Sequence, residues 1–291
     1  MASEEGNFTV AWMCRHLGVS RSSYYHWKKH HDRVNSYAQR RADLADVVRE
    51  IFLEQRQRAG ARGIAAELRR RGIDASVKLV GRIMRENDLV AIQPHAYKRT
   101  TVRDPNADEL VLDLVEQDFD PAHYEPGEVL VGDITYLKTH TGWLYLATVI
   151  DLATRKVLGW HVDKHMKTSL VTSALAMALG NGAVPGCVFH SDRGTQYTSG
   201  EFAQFCEANF VYQSKGRVAT CYDNAVAESF FASLKVEFYY HDHHPGGTIT
   251  KNAIAQWITF YNTTRFHSAI GYRPPQHEWA RRIALRHTLV A

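Results

Sequence analysis

Three acidic side chains stand in sequence settings that suit them for metal-dependent chemistry. Asp133 lies in Val-Gly-Asp-Ile-Thr-Tyr, Asp192 in His-Ser-Asp-Arg-Gly, and Glu228 at the end of Asp-Asn-Ala-Val-Ala-Glu. The first two are separated by 58 intervening residues and the last two by 35. Three convergent carboxylates can hold a pair of divalent cations, and such a pair cuts and joins phosphodiester bonds. The trio therefore predicts an enzyme that acts on nucleic acid.

The elements that must position these carboxylates begin where the sequence changes to a two-residue periodicity, at residue 128. Strands are predicted at about 129–138, 143–150 and 156–162, and their short connections indicate an antiparallel meander. Further elements alternate as a helix at 168–179, a strand ending at 191, a helix at 199–208, a strand at 212–214 and a helix at 224–238. This order is typical of a ribonuclease-H-like α/β fold with a mixed five-stranded sheet. It brings the three carboxylates to one edge of the sheet, where ligands usually bind.

The first forty residues predict a helix-turn-helix. A helix from Thr9 leads to a turn at 18–20, and Ser20 is a suitable N-cap for a second helix. At the start of that helix, where base edges and phosphates are met, stand Arg21, Ser22 and Ser23. A small packing hairpin is the alternative interpretation.

A second helical unit follows, and it is rich in basic residues. Apolar residues between Leu44 and Phe52 fall on one helical face, and the segment 63–87 is another helix-turn-helix candidate. The side chains available for phosphates are Arg69, Arg70, Arg71, Lys78, Arg82 and Arg85. Ordinary solvent-facing charge is the alternative for part of this set.

The charge is distributed unevenly along the chain. The net charge of +4 combines +8 over residues 1–100, −8 over 101–128 and +4 over 129–291. The basic parts suit a polyanionic partner, because each Lys or Arg placed at a phosphate releases condensed counterions. We divide the chain into a helix-turn-helix arm (1–34), a second helical DNA-binding domain (41–95), a linker with a short helix near 110–115 (96–127), a catalytic core (128–240) and a helical extension (241–291).

Composition indicates a cytoplasmic protein without a membrane segment. No apolar run approaches the roughly 20 residues that span a bilayer, and the first residues lack the features of a signal peptide. The four cysteines are scattered without a Cys-x-x-Cys pair, so we expect them to be reduced. The run at 241–244 contains three histidines, but its spacing favours a solvated loop over a metal site.

Several motifs together resemble the OrfB-type (second reading frame) part of bacterial insertion-sequence transposases related to retroviral integrases. The motifs stand at 133–137, 190–199, 221–235 and 261–272, and in the front part at 13–25 and 82–89. The resemblance covers nearly the whole chain. Two departures are Leu130, where the family usually has Trp, and a weakened motif at 59–63.

The resemblance implies a DDE transposase with Asp133, Asp192 and Glu228 as catalytic residues and metal ligands. Oxygen ligands suit Mg²⁺, two ions are expected, and Mn²⁺ should substitute. The implied reaction is cleavage at the element ends followed by strand transfer. The implied partners are double-stranded DNA of the terminal repeats and target, another copy of the chain on DNA, and an upstream-frame OrfA protein or fusion that carries a leucine zipper. No sustained apolar heptad run stands in this sequence.

Further side chains are candidates for supporting roles. Lys235 lies seven residues after Glu228 and so shares its helix face. The candidates for holding DNA strands in and after the core are Lys215, Arg217, Lys235, Arg265 and His267. Asp223 and Asn224 are candidates for orienting the helix of Glu228. His190 and Gln196 are candidates for shaping the turn of Asp192 or for touching substrate.

Two other functions compete with transposition. A structure-selective nuclease of the same fold would cut without joining, but the helix-turn-helix units favour recognition of specific ends. A DNA-binding regulator with an inactive core is disfavoured by the intact carboxylates. A P-loop enzyme is excluded because no G-x-x-x-x-G-K-[ST] loop is present, and a tyrosine recombinase would need no carboxylate trio.

Overall fold

The computed structural model describes residues 1–92, 113–116, 118–215, 225–241 and 244–290, with all their side chains except those of 31–38, 287, 289 and 290. Most of the predicted linker at 96–127 lies outside the described residues, as do the site candidates Arg217, Asp223 and Asn224. Of the short helix predicted near 110–115, residues 113–115 are described and are not helical. Within these ranges no helix combines the length and apolarity needed to cross a membrane.

The front of the chain forms the predicted helix-turn-helix. Helix α1 spans Val10–His16 and α2 spans Arg21–Glu54. Ser20 caps α2, its hydroxyl accepting the backbone N–H of Ser23 at 3.0 Å. Gly18 in the turn has a φ of +66°, a left-handed conformation that favours glycine. The predicted break between the two helical units, at 35–40, lies inside α2, which runs through it without interruption.

The second half of α2 packs with two further helices. Helix α3 spans Ala61–Arg70 and α4 spans Val77–Glu86, with Ser76 as the N-cap of α4. The predicted apolar face of α2 is confirmed, because its residues are buried against both helices. The cluster includes Leu44, Val48, Ile51, Phe52, Ile64, Leu68, Val80 and Ile83.

The sheet has five strands in the order β3-β2-β1-β4-β5. The strands are β1 Val129–Thr139, β2 Gly142–Asp151, β3 Val157–Asp163, β4 Val188–Ser191 and β5 Tyr212–Lys215. β1, β2 and β3 form an antiparallel meander, whereas β4 pairs in parallel with both β1 and β5. The predicted mixed ribonuclease-H-like sheet is confirmed.

Helices cover both faces of the sheet. On one face lie α5, Thr168–Gly180, and α6, Gly200–Ala208. On the other lie α7, Ala225–Leu234, and α8, Gly247–Thr263. A π-helix, Lys235–Tyr239, continues α7, and α9 spans Pro275–Val290. Short 3-10 turns occupy Ala2–Glu4, Pro121–His123 and Ser268–Ile270.

The second helical unit is docked on the segment that follows α8. The side chain of Gln55 donates to the carbonyl of Thr264 at 2.8 Å and accepts the N–H of Phe266 at 3.1 Å. Arg70 donates to the carbonyl of Tyr272 at 2.8 Å. The second helical unit and the predicted helical extension therefore share a hydrogen-bonded interface.

A buried ion-pair cluster extends this interface to the π-helix. The Glu237 carboxylate is 1% exposed and lies 3.2 Å from the guanidinium of Arg58 and 2.6 Å from that of Arg265. Arg265 also donates to the hydroxyl of Ser233 at 3.2 Å. We refer to Arg58, Ser233, Glu237 and Arg265 as the Glu237 cluster. It joins the loop after α2 to the end of α7.

Candidate active site

Asp133 lies in the middle of β1, the central strand of the sheet. The residue before it, Gly132, is required by close packing, since a Cβ there would lie 2.1 Å from the ring of Phe189. Side chains alternate along a strand, so Asp133 shares the face on which Val131 and Leu137 pack with α7. Its Oδ1 accepts the backbone N–H of Ile134 at 2.7 Å.

Asp192 follows directly after β4, the parallel neighbour of β1. Gly132 pairs with Ser191 in the register of β1 and β4. The residues that follow them, Asp133 and Asp192, therefore lie side by side. Asp192 Oδ1 accepts the N–H of Gly194 at 3.0 Å, which fixes the turn after the strand.

Glu228 lies in the first turn of α7, on the helix that packs against the Asp133 face. Its side chain is exposed. The residues that precede α7, including the predicted helix caps Asp223 and Asn224, lie outside the described part of the chain. α7 therefore approaches the two aspartates with its N-terminal end.

The charges of the other two carboxylates act on Asp133. Burial raises the pKa of Asp133 to about 8, and the charges of Asp192 and Glu228 act in the same direction. The N–H of Ile134 and the charge of Lys235 oppose this rise in the pKa. Partial burial raises the pKa of Asp192 as well, against the hydrogen bond from Gly194. Such a concentration of mutually repelling carboxylates is relieved by a bound cation.

The three carboxylates are of the type that suits a hard divalent cation, although the exposed side chain of Glu228 does not form one compact cluster with the two aspartates. Carboxylate oxygens at a desolvated strand edge are the ligands that Mg²⁺ and Mn²⁺ prefer. Over the described ranges, no three His, Cys, Asp or Glu side chains are gathered closely enough to hold one metal ion. Asp133 and Asp192 thus provide an adjacent pair, and Glu228 stands at the neighbouring helix end.

Lys235 lies at the first position of the π-helix, beyond α7. Its ammonium is 5.3 Å from the ring centroid of Tyr136, and its charge lowers the pKa of Asp133. Lys235 is therefore near enough to Asp133 for its charge to act on that carboxyl. π-helical turns often occur at functional sites.

His190 and Gln196 are engaged in structural hydrogen bonds. The buried His190 lies on β4 with its Nδ1 2.9 Å from the hydroxyl of Ser214, its register partner on β5. Gln196 donates to the carbonyl of Met166 at 3.0 Å. Both positions fit a role in shaping the region around Asp192. Leu130, which replaces the family's Trp, is fully buried on the opposite face.

The predicted DNA contacts of the helical front differ in their availability. Arg21, Ser22 and Ser23 are exposed at the start of α2, although both serine hydroxyls bond to Ser20. Among the predicted cations of α3 and α4, Arg69, Lys78, Arg82 and Arg85 are exposed. By contrast, Arg70 is committed to Glu67 and to the carbonyl of Tyr272.

Three predicted DNA contacts are corrected by the structure. Arg265 belongs to the Glu237 cluster, so its guanidinium faces the interior and is only 16% exposed. Burial, and then the charges of Arg265 and Arg155, lower the pKa of His267 to about 3, which leaves it uncharged near neutral pH. Lys215 is buried at the end of β5. None of the three presents a cationic surface.

Two features were not predicted from the sequence. The Glu237 cluster could not be predicted from local patterns, because 179 positions separate Arg58 from Glu237 along the chain. The exposed rings of Tyr136 and Trp143 could have been found from the two-residue alternation of β1 and β2, since both positions fall on an outward face.

Family models match three parts of the chain. Two models described as "Integrase core domain" match residues 123–221 and 211–275, and one described as "HTH-like domain" matches 39–97. Among solved structures, the catalytic core of HTLV-2 integrase in complex with magnesium is 18% identical with a TM-score of 0.41, covering 52% of this chain and 95% of its own. The core of BIV integrase is 16% identical with a TM-score of 0.44, covering 55% and 99%.

Curated relatives identify the family. "Transposase InsF for insertion sequence IS3A" of Escherichia coli (strain K12) is 36% identical over 94% of both chains. "Insertion element IS600 uncharacterized 31 kDa protein" of Shigella sonnei is 33% identical over 90% of this chain and 96% of its own. The chain belongs to the IS3 family of insertion-sequence transposases.

Proposed function

We propose that this transposase cuts DNA at the ends of its element and joins the freed ends to a new site by metal-dependent phosphoryl transfer. The observation that carries the proposal is the side-by-side placement of Asp133, within β1, and Asp192, directly after the parallel strand β4, with the charge of Glu228 acting on Asp133. In this proposal Asp133, Asp192 and Glu228 would together hold the two ions. Bound Mg²⁺ would polarise the phosphate and stabilise the attacking and leaving oxygens.

Two displacements at phosphorus account for the reaction. Water attacks the scissile phosphodiester, and the bond to the 3′ oxygen of the element end breaks to release a 3′-OH. That 3′-OH then attacks a phosphodiester of the target, forming one bond while another breaks. The protein supplies no covalent nucleophile in either step. Its carboxylates would hold the ions, and Lys235 is positioned to hold a neighbouring phosphate.

A strand-transfer assay with labelled element ends, target DNA and Mg²⁺ tests this function. We expect nicked ends and joined products, with Mn²⁺ supporting both. Cleavage without joined products would favour the structure-selective nuclease. Specific binding with neither product would favour a regulator, and would overturn the proposal.

We further propose that the substrate is held by the helical front and by more than one protomer. The exposed set Arg21, Ser22, Ser23, Arg69, Lys78 and Arg82 provides contacts to the double-stranded terminal repeats. Joining requires two ends to be held together, which calls for at least two copies in matched geometry.

An upstream-frame OrfA partner, separate or fused, would supply the zipper that pairs the two copies. We expect this chain alone to join ends inefficiently and imprecisely. The comparison is the yield and junction sequence of joined products from this chain and from its fusion to the upstream frame. Equal efficiency and equal precision would contradict the need for that partner.

A further inference from the structure

An exposed aromatic pair stands near the tip of the β1–β2 hairpin. Tyr136 is 58% exposed and Trp143 is 48% exposed, and their ring centroids are 5.5 Å apart at an interplanar angle of 75°. The register pairs Tyr136 with Tyr145 and Lys138 with Trp143. The two rings are therefore diagonal neighbours on one face of the hairpin. Their apolar area is buried only when a partner covers it.

The pair lies close to the candidate active site along β1. Tyr136 is three residues beyond Asp133, which corresponds to about 10 Å along a strand. The pairing of β1 with β4 ends at Gly132 and Ser191, so Asp192 begins where β1 extends past its neighbour. Tyr136 faces the opposite side of β1 from Asp133, and the ammonium of Lys235 approaches its ring to 5.3 Å. A nucleic-acid strand that crosses this edge can meet the carboxylates and then the rings.

Contacts from Tyr239 and His244 hold the tip of the hairpin in place. The hydroxyl of Tyr239, at the end of the π-helix, donates to the carbonyl of Lys138 at 2.7 Å. The ring of Tyr239 stacks on that of His244 at 4.7 Å, and the carbonyl of His244 accepts the N–H of His140 at 3.0 Å. These bonds hold the strand that carries Tyr136 and so reduce the ordering cost of binding on this surface.

We propose that Tyr136 and Trp143 form a stacking platform for an unpaired DNA base next to the phosphodiester that reacts. An aromatic ring can stack on any base, and a neighbouring cation suits the phosphate of the same strand. A polyanion is therefore a better occupant than an apolar protein surface. The inference rests on the proposed function, since the carboxylates bring the DNA end to this edge of the sheet.

The test compares two element ends, one fully paired and one with mismatched base pairs at the cleavage point. Tyr136→Ala and Trp143→Ala should each slow cleavage of the paired end by about tenfold, in line with the loss of one base–ring stack. Both should recover near wild-type rates on the mismatched end, where the base is already unpaired. Tyr136→Phe and Trp143→Phe should retain activity on both. Tyr212→Ala, which removes a 63% exposed ring on β5, is the matched control and should cleave both ends normally.

A second readout does not depend on chemistry. An end carrying 5-iodouracil at the cleavage point should photo-crosslink to Tyr136 or Trp143, and the crosslink should persist in Tyr212→Ala. Equal slowing of both ends by the alanine variants, unchanged rates on both, or crosslinks elsewhere would overturn the platform. If the wild-type chain cleaves neither end, the proposed function fails, while the crosslink still decides whether the rings meet a base.

Discussion

At the scale of single residues, the charge of Glu228 offers a direct test of the metal site. Glu228→Gln preserves the size of the side chain and removes the negative charge that a divalent cation requires. We expect cleavage and joining to fall to background while binding to element ends stays nearly intact, because the basic residues of the helical front are untouched. Gel-shift and labelled-end assays measure these separately. Glu207→Gln, at an exposed position of α6, is the control, and parallel loss of binding and chemistry would contradict the assignment.

His267 makes the stability of the chain depend on pH. The pKa of His267 in the folded chain is about 3, whereas an unfolded histidine titrates near about 6.5. Between these values the unfolded chain binds a proton that the folded chain does not, so stability falls as the pH drops below about 6.5. At pH 5 the free energy of unfolding should be lower by up to about 2 kcal/mol from this residue.

Urea unfolding of the wild type and of His267→Gln, each at pH 7 and pH 5, checks this linkage. The variant should lose less stability between the two pH values, because glutamine does not titrate. Identical losses in both proteins would show that His267 is not the responsible group.

At the scale of elements, the Glu237 cluster connects the helical front to the helix of Glu228. Glu237→Gln would leave the guanidinium groups of Arg58 and Arg265, 11% and 16% exposed, without their counter-charge. Breaking a buried ion pair in this way costs about 3–5 kcal/mol. Glu86→Gln is the matched control, because the Arg41–Glu86 pair is more than 40% exposed on both sides and such pairs contribute less than about 1 kcal/mol. Similar unfolding free energies for the two variants would rule out a stabilising cluster.

The elements were largely predictable, and the contacts between them were not. The alternation of apolar residues predicted β1, β2 and β3 to within two residues, because one period describes a whole strand. The continuity of α2 could have been predicted too, since no Gly or Pro stands between Arg21 and Glu54. However, the helix-turn-helix pattern and the amphipathic face that follows it together predict two separate helical units.

In the candidate site, too, the features that depend on local sequence were predictable and those that depend on distant partners were not. Asp133 and Asp192 could be placed because each stands in or directly after a strand that its own local pattern predicts, and the order of elements is typical of a fold in which those strands are neighbours. The burial of Arg265 could not be predicted, because it depends on Glu237, 28 positions away, and on the loop after α2. The exposure of a charged side chain is decided by such long-range partners, which periodicity does not reveal.

At the scale of the whole molecule, α2 connects the two helix-turn-helix units as a single rod. Its 34 residues correspond to about 50 Å at the rise of an α-helix. One turn of B-form DNA is about 34–36 Å, so the rod spans close to one and a half turns of the duplex. In the proposed complex with DNA, α2 would set both the distance and the rotational phase between the two units.

Helical phase makes this role of α2 testable. Each added residue rotates the upstream unit by about 100°, so a two-residue insertion between Gln39 and Arg40 should turn Arg21 away from the duplex. A seven-residue insertion, close to two full turns, should restore the facing side and shift the outer contact by about 10 Å. Footprinting of the element end should show the outer protection lost with two residues and regained about three base pairs further out with seven. If neither insertion changes the position of the outer protected region, then α2 does not set the distance between the inner and outer contacts at the end of the element.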